Sequence, residues 1–173
     1  QARGILNTSA IQHNLDWVWP YWVERQYDPY DASFVPRAFS LTHVNLTHRN
    51  WTAAGIPDSE HLPIVDPRGL LTPFWDGWSL DVWVVGADGQ KLFPSRNERT
   101  EQRLSLEGGL EVVTHSRAEG LELESRVRVE REANTTHCLL EIEAQGASDG
   151  CLVVSLRPYN PEGVSFIDEI QLA

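Results

Sequence analysis

The chain predicts an all-β fold, an antiparallel β-sandwich with an irregular, aromatic-rich N-terminal part, and three observations carry that prediction. Leu121, Leu123, Val127 and Val129 share one parity while Glu122, Glu124, Arg126, Arg128 and Glu130 occupy the other, the period-2 signature of a half-buried strand with a salt-bridge-rich outer face. Short apolar runs separated by tight turns recur through the second half, giving about eight strands, the number of a sandwich or barrel. All seven tryptophans fall between Trp17 and Trp83, so the chain divides into an aromatic first part and a plain β second part. We read one domain over residues 1–173, loop-rich over 1–79 and stranded over 80–173.

Each element follows from local pattern. Residues 80–85, an Asp88-Gly89 turn and residues 91–93 read as a hairpin. Residues 104–107, a Gly108-Gly109 turn and residues 110–117 read as a second, broken from the next strand at Glu119-Gly120. Residues 138–144 and 151–156 flank Gln-Gly-Ala-Ser-Asp-Gly and read as a third hairpin, with 164–170 as a closing strand. The run Cys151-Leu-Val-Val-Ser-Leu156 is apolar on both parities, which predicts a central strand covered on both faces. Before residue 80 the pattern supports a strand over 41–48, a short helix over 20–26 stopped at Asp28-Pro29, and ordered loops over 28–36 and 55–73, which hold six prolines.

Composition bounds the function classes. At 173 residues, 41% hydrophobic and 23% charged, the chain has the make-up of a soluble globular domain. Its net charge of −11 is spread: nine acidic against five basic residues through Gly86, sixteen against nine after it. Such a surface repels a phosphate backbone, so nucleic acid is excluded as a partner. No run approaches the roughly 20 apolar residues of a membrane span, and residues 1–8 hold no signal-peptide core, so no membrane partner is expected. The chain has no methionine, which suggests a processed or excised piece of a larger protein. Four glycosylation sequons, at Asn7, Asn45, Asn50 and Asn134, are read as chance matches. In the 138–144/151–156 hairpin, Cys151 would face about Ala144, leaving Cys138 roughly 20 Å away, beyond the 7 Å or so a disulfide spans. Both cysteines are therefore read as buried apolar residues of a cytoplasmic protein.

Catalytic motifs are absent: no G-x-S-x-G, no Walker loop, no G-x-G-x-x-G and no H-E-x-x-H. His43 and His48, five apart, meet on neither a strand nor a helix face, so no metal site is expected, and no cofactor. Paired carboxylates are the remaining route to hydrolysis. Asp16, Asp28, Asp31, Asp66, Asp76 and Asp81 all lie in the aromatic part, and Trp75-Asp76-Gly77-Trp78 has the look of a sugar-cleft fragment. The alternative is that Asp76 serves a turn before Gly77 and that the flanking tryptophans are core.

The phrases Phe34-Val-Pro-Arg-Ala-Phe39, Thr47-His-Arg-Asn-Trp-Thr52, Val65-Asp-Pro-Arg-Gly69, Phe74-Trp-Asp-Gly-Trp78 and Ser155-Leu-Arg-Pro-Tyr-Asn-Pro161 resemble the N-terminal domain of bacterial glycogen-debranching-type proteins. That domain is similar to the supersandwich-like β-sandwich that precedes an (α/α)6 barrel in the six-hairpin glycosidases. The resemblance implies an accessory role: the catalytic carboxylates of that group belong to the barrel, and no catalytic residue carries over to this chain. The expected partners are a C-terminal helical barrel of the same polypeptide and, as a further candidate, an α-glucan. Trp17, Trp19, Trp22, Trp75, Asp76 and Trp78 are the candidate surface for barrel or carbohydrate. A free-standing carbohydrate-binding module with tryptophan platforms is the rival reading, and an enzyme using Asp76 with a second carboxylate is a third.

Overall fold

The computed structural model describes residues 52–60, 62–74, 77–97, 99–106, 109–146, 149–160, 163–164, 169 and 171. The fold is all-β: apart from a single 3-10 turn at Pro94–Arg96, every regular element among the described residues is a strand. In chain order these are β1 (Thr52–Ala53), β2 (Ile64–Val65), β3 (Leu71–Thr72), β4 (Ser79–Gly86), β5 (Lys91–Leu92), β6 (Thr100–Ser105), β7 (Glu111–Ala118), β8 (Leu121–Glu132), β9 (Thr135–Gln145), β10 (Gly150–Arg157), β11 (Tyr159–Asn160) and β12 (Gly163–Val164). One sheet runs β1-β2-β3-β4-β10, with β5 also on β4; the second is the meander β6-β7-β8-β9; β11 and β12 form a separate ribbon.

Both sheets are antiparallel and pack β4 and β5 over β7 and β8. Alternation sends Val112, Leu121, Leu123, Val127 and Val129 inward, where they meet two groups from the first sheet. Ala54, Val65 and Leu71 pack on Val112, Val127 and Val129, while Val82, Val84 and Leu92 pack on Leu121 and Leu123. Each fully buried side chain of this kind contributes about 1.5–3 kcal/mol, so these two clusters are the main apolar stabilisation among the described residues. The outer face of β8 carries the expected charges: Arg126 pairs with Glu124 and Glu111, and Arg128 with Glu111, Glu130 and Glu141. Arg128 and Glu111 are direct cross-strand neighbours.

Tight turns set the registers. The β7–β8 turn places Glu119 and Gly120 at φ 53° and 79°, the two positive values that match the strand twist. The β8–β9 turn places Ala133 at φ 53°, a conformation an L-residue with a Cβ enters at a cost.

Four expectations are corrected. Residues 55–73 contain β2 and β3, so the aromatic part contributes strands to the first sheet instead of standing as loop. Residues 138–144 and 151–156 do not pair with each other: β9 pairs with β8 and β10 with β4, so the intervening turn crosses from one sheet to the other. Cys151 accordingly lies opposite Val85 and is exposed, not buried, while Cys138 lies opposite Val129 and is half-buried; both are free thiols. Finally, β10 is not central. Among the described residues it is an edge, with Leu152 and Val154 46% and 50% exposed. Apolarity on both parities predicted cover, but periodicity cannot say which neighbour supplies it.

The expected helix at 20–26, the strand at 41–48 and the loop at 28–36 lie outside the described residues, as does most of the expected strand at 164–170.

Candidate functional site

The densest polar chemistry among the described residues is a seam between the two sheets, built on the phrase Val65-Asp-Pro-Arg-Gly69. On one side β4 pairs with β3 at Leu80 and with β5 from Val84, and the stretch around Asp81 lies between these two pairings. The 66–69 turn stands beside this stretch. Gly69 N–H donates to the Asp66 carbonyl at 3.0 Å, and Asp66 Oδ1 accepts from the N–H of Arg68 at 2.7 Å and of Leu70 at 3.0 Å. This is the Asx-type closure that favours Asp before a Pro-x-Gly sequence. Gly69 has φ 93°, and a Cβ there would meet Thr114 Cγ2 at 3.2 Å, so both conformation and space select glycine.

From the turn the network runs into the second sheet. Gln102 Nε2 donates to the Asp66 carbonyl at 2.8 Å and to Thr114 Oγ1 at 3.1 Å, while Gln102 Oε1 accepts from Thr52 Oγ1 at 3.0 Å. Arg68 Nη1 donates to the Asn97 carbonyl at 2.7 Å, and Asn97 Nδ2 donates to Ser116 Oγ at 2.7 Å. Thr100 Oγ1 and Ser116 Oγ share a bond of 2.8 Å. A buried polar network of this kind is stabilising when its members find partners, because a missing one leaves a desolvated group.

Asp66 and Asp81 are the two carboxylates of the seam, 1% and 3% exposed. Burial pushes Asp66 up to about 7; the N–H bonds of Leu70 and Arg68 and the Arg68 charge oppose this, and the nearby Asp81 adds to it. Asp66 Oδ2 is buried and accepts no hydrogen bond, which suits a protonated carboxyl. Asp66 has the raised pKa of a general acid, yet the adjacent void, lined by Asp81, Arg68, Thr114, Ser116 and Ser125, is about 10 Å³. That is the room of one water, not of a sugar ring. The seam's geometry is that of a joint between sheets.

A second polar feature lies on the outer face of the first sheet. Arg157, only 7% exposed, sets its guanidinium 5.4 Å above the Trp83 ring, and Phe93 meets that ring edge-on at 5.4 Å and 89°. Trp83 is thus held by neighbours on a face and an edge. Residues opposite one another across the strands extend this outer face as Arg157, Ser79 and Thr72, with Thr72 and Ser79 hydroxyls 2.8 Å apart.

Of the residues proposed from sequence, Trp78 is described: it is half-buried at the entry to β4. Phe74, before it on the same connection, is 48% exposed, and Gly77 N–H donates to the Phe74 carbonyl at 3.0 Å. Trp17, Trp19, Trp22, Trp75 and Asp76 lie outside the described residues. Sequence reasoning counted Asp66 and Asp81 among the carboxylates but missed their pairing; the signal for Asp66 was the Asp-Pro-Arg-Gly turn, while nothing local marked Asp81. Among the described residues no group of three or more His, Cys, Asp or Glu is placed to hold a metal ion, and no helix is long and apolar enough to cross a membrane.

No protein-family model, curated protein or solved structure matches the chain.

Proposed function

We propose that this chain is a non-catalytic accessory domain of an α-glucan-acting, glycogen-debranching-type protein of the cytoplasm, bracing an (α/α)6 catalytic barrel. The observation that carries the reading is the aromatic connection into β4. Phe74 is 48% exposed and Trp78 half-buried, on a loop anchored to the strand that pairs with β3, β5 and β10. An apolar lip on a rigid strand is the form of a surface made to be covered. The resemblance of the Phe74-Trp-Asp-Gly-Trp78 and Val65-Asp-Pro-Arg-Gly69 phrases to the debranching-type domain supports the choice of partner. The sealed state of Asp66 and Asp81 supports a role without chemistry of its own.

The experiment has two arms. Incubation of the chain with maltooligosaccharides, glycogen and pullulan should release no reducing sugar; release that Asp76→Asn abolishes would replace this reading with the enzyme. The coding sequence beyond Ala173 should encode several hundred residues of paired helices, and an immediate stop there overturns the accessory role.

A second reading draws on the same exposed Phe74: a carbohydrate-binding module, in which aromatic faces stack on pyranose rings. Quenching or enhancement of tryptophan fluorescence by maltooligosaccharide would favour it. An unchanged spectrum favours docking against a barrel.

A further inference from the structure

We infer that the β10 edge is a self-association site, pairing antiparallel with β10 of a second copy of this chain about an axis through Val153. The backbone register points there first. Ala87 N–H donates to the Asp149 carbonyl at 2.7 Å, one step past the Gly86–Gly150 pair. Antiparallel ladders alternate, so Cys151, Val153 and Ser155 turn their N–H and C=O groups toward β4, and Gly150, Leu152, Val154 and Leu156 turn theirs to the side where no described strand lies. On pairing about Val153, Gly150 meets Leu156 of the second copy and Leu152 meets Val154. All four outward residues then find partners among themselves, which a shift of register by one residue would undo.

The side chains fit the same arrangement. Leu152 and Val154 lie opposite Val84 and Val82 and so share the inner face, yet they are 46% and 50% exposed. Pairing would bring Leu152 of each copy against Val154 of the other. Charge selects this edge and this occupant. The chain carries −11 overall, and the other long edges are guarded: β6 bears Glu101 and Arg103, and β9 bears Glu141 and Glu143. Residues 150–156 hold no charge and no proline, the devices that keep an edge single. A strongly acidic chain can approach its own copy along this strand without placing carboxylates opposite one another.

Sedimentation of the 173-residue chain tests the inference. The expected mass is twice 19.6 kDa, returning to the single value in Val154→Lys. Val154 is half-exposed, so the variant should keep its native circular dichroism. A second variant fixes the register. In the proposed dimer, Cys151 faces position 155 of the other copy in a non-hydrogen-bonded pair, with Cα atoms about 4.5 Å apart, near the lower end of the range a disulfide spans. Ser155→Cys in a Cys138→Ala background should therefore give a disulfide-linked dimer on mild oxidation, and adding Cys151→Ala should abolish it. A monomer throughout the micromolar range, a dimer that survives Val154→Lys, or no Cys151-dependent cross-link would each overturn the proposal.

Discussion

Gln102 and Asp66 are joined by a 2.8 Å hydrogen bond from the Gln102 side-chain amide to the Asp66 carbonyl, which ties the edge strand of one sheet to a turn of the other. The same side chain also accepts from Thr52 of the other sheet and donates to Thr114 beside it on β7, so it links the two sheets while braced within its own. Gln102→Ala leaves the Asp66 carbonyl without this donor in a buried place and removes the link to Thr52. Loss of such bonds costs about 1–3 kcal/mol. The midpoint of urea unfolding should fall accordingly, with an unchanged slope; a variant as stable as the parent would mean the seam is a passive contact.

Stability should depend on pH through Asp66. Its folded pKa is about 7 against an ordinary 3.8. Below about 4 both states hold the proton. Between 4 and 7 the folded chain keeps a proton that the unfolded chain has lost, so rising pH favours unfolding, and above 7 the loss is complete. At about 1.4 kcal/mol per pKa unit the full effect is of the order of 4 kcal/mol. The groups facing Asp66 are Asp81 of β4 and Arg68 of its own turn, and the second sheet presents the uncharged Gln102. Asp66→Asn keeps the Oδ1 acceptor and removes the titration. The variant should gain on the parent between pH 5 and pH 8, by about 2 kcal/mol or more. Parallel stability curves would show that Asp66 is ionised in the fold.

The seam shows what a sequence can and cannot disclose. The 121–130 strand was legible because its two faces meet different solvents, and the hairpin of β4 and β5 because Asp88-Gly89 punctuates it. The stretch holding Asp66 was legible only as an ordered loop over 55–73, and nothing marked Asp66 as interior: a buried carboxylate leaves no periodic trace. β10 misled for a related reason. Both parities are apolar whether a strand is covered by its own sheets or by a second molecule, and the turn at 146–149 signals a reversal without saying which sheet receives the strand. Phe74 and Trp78 belong to no period, so their exposure had to come from the fold.

Ala133 should be improvable. At φ 53° its Cβ crowds the following carbonyl, a cost of about 1–2 kcal/mol for an L-residue, of which glycine recovers part after its own loss of chain entropy. Ala133→Gly should raise stability by about 0.5–1 kcal/mol. The turn joins the two longest strands, so thermal unfolding should register the gain as a higher Tm; an unchanged or lower Tm would indicate that the turn is relaxed.

The two thiols should separate kinetically. Cys151 is exposed on the β10 edge, whereas Cys138 faces inward from β9, beside Pro63, Pro73 and Val129, with burial pushing its thiol up to about 11. A thiol reacts as its thiolate, so at pH 8 burial slows Cys138 twice, through access and through a thiolate fraction on the order of one in a thousand. An aromatic disulfide reagent should therefore take one thiol promptly in the native chain at dilution and the second only as the fold opens, with two recovered in denaturant without prior reduction. Cys151→Ala should abolish the fast phase and leave the slow one. Raising protein concentration should slow the fast phase as well if β10 pairs with its copy, because Cys151 then lies on the face of a continuous sheet. Two equal rates in the native chain would place Cys138 at the surface and contradict the inward face of β9.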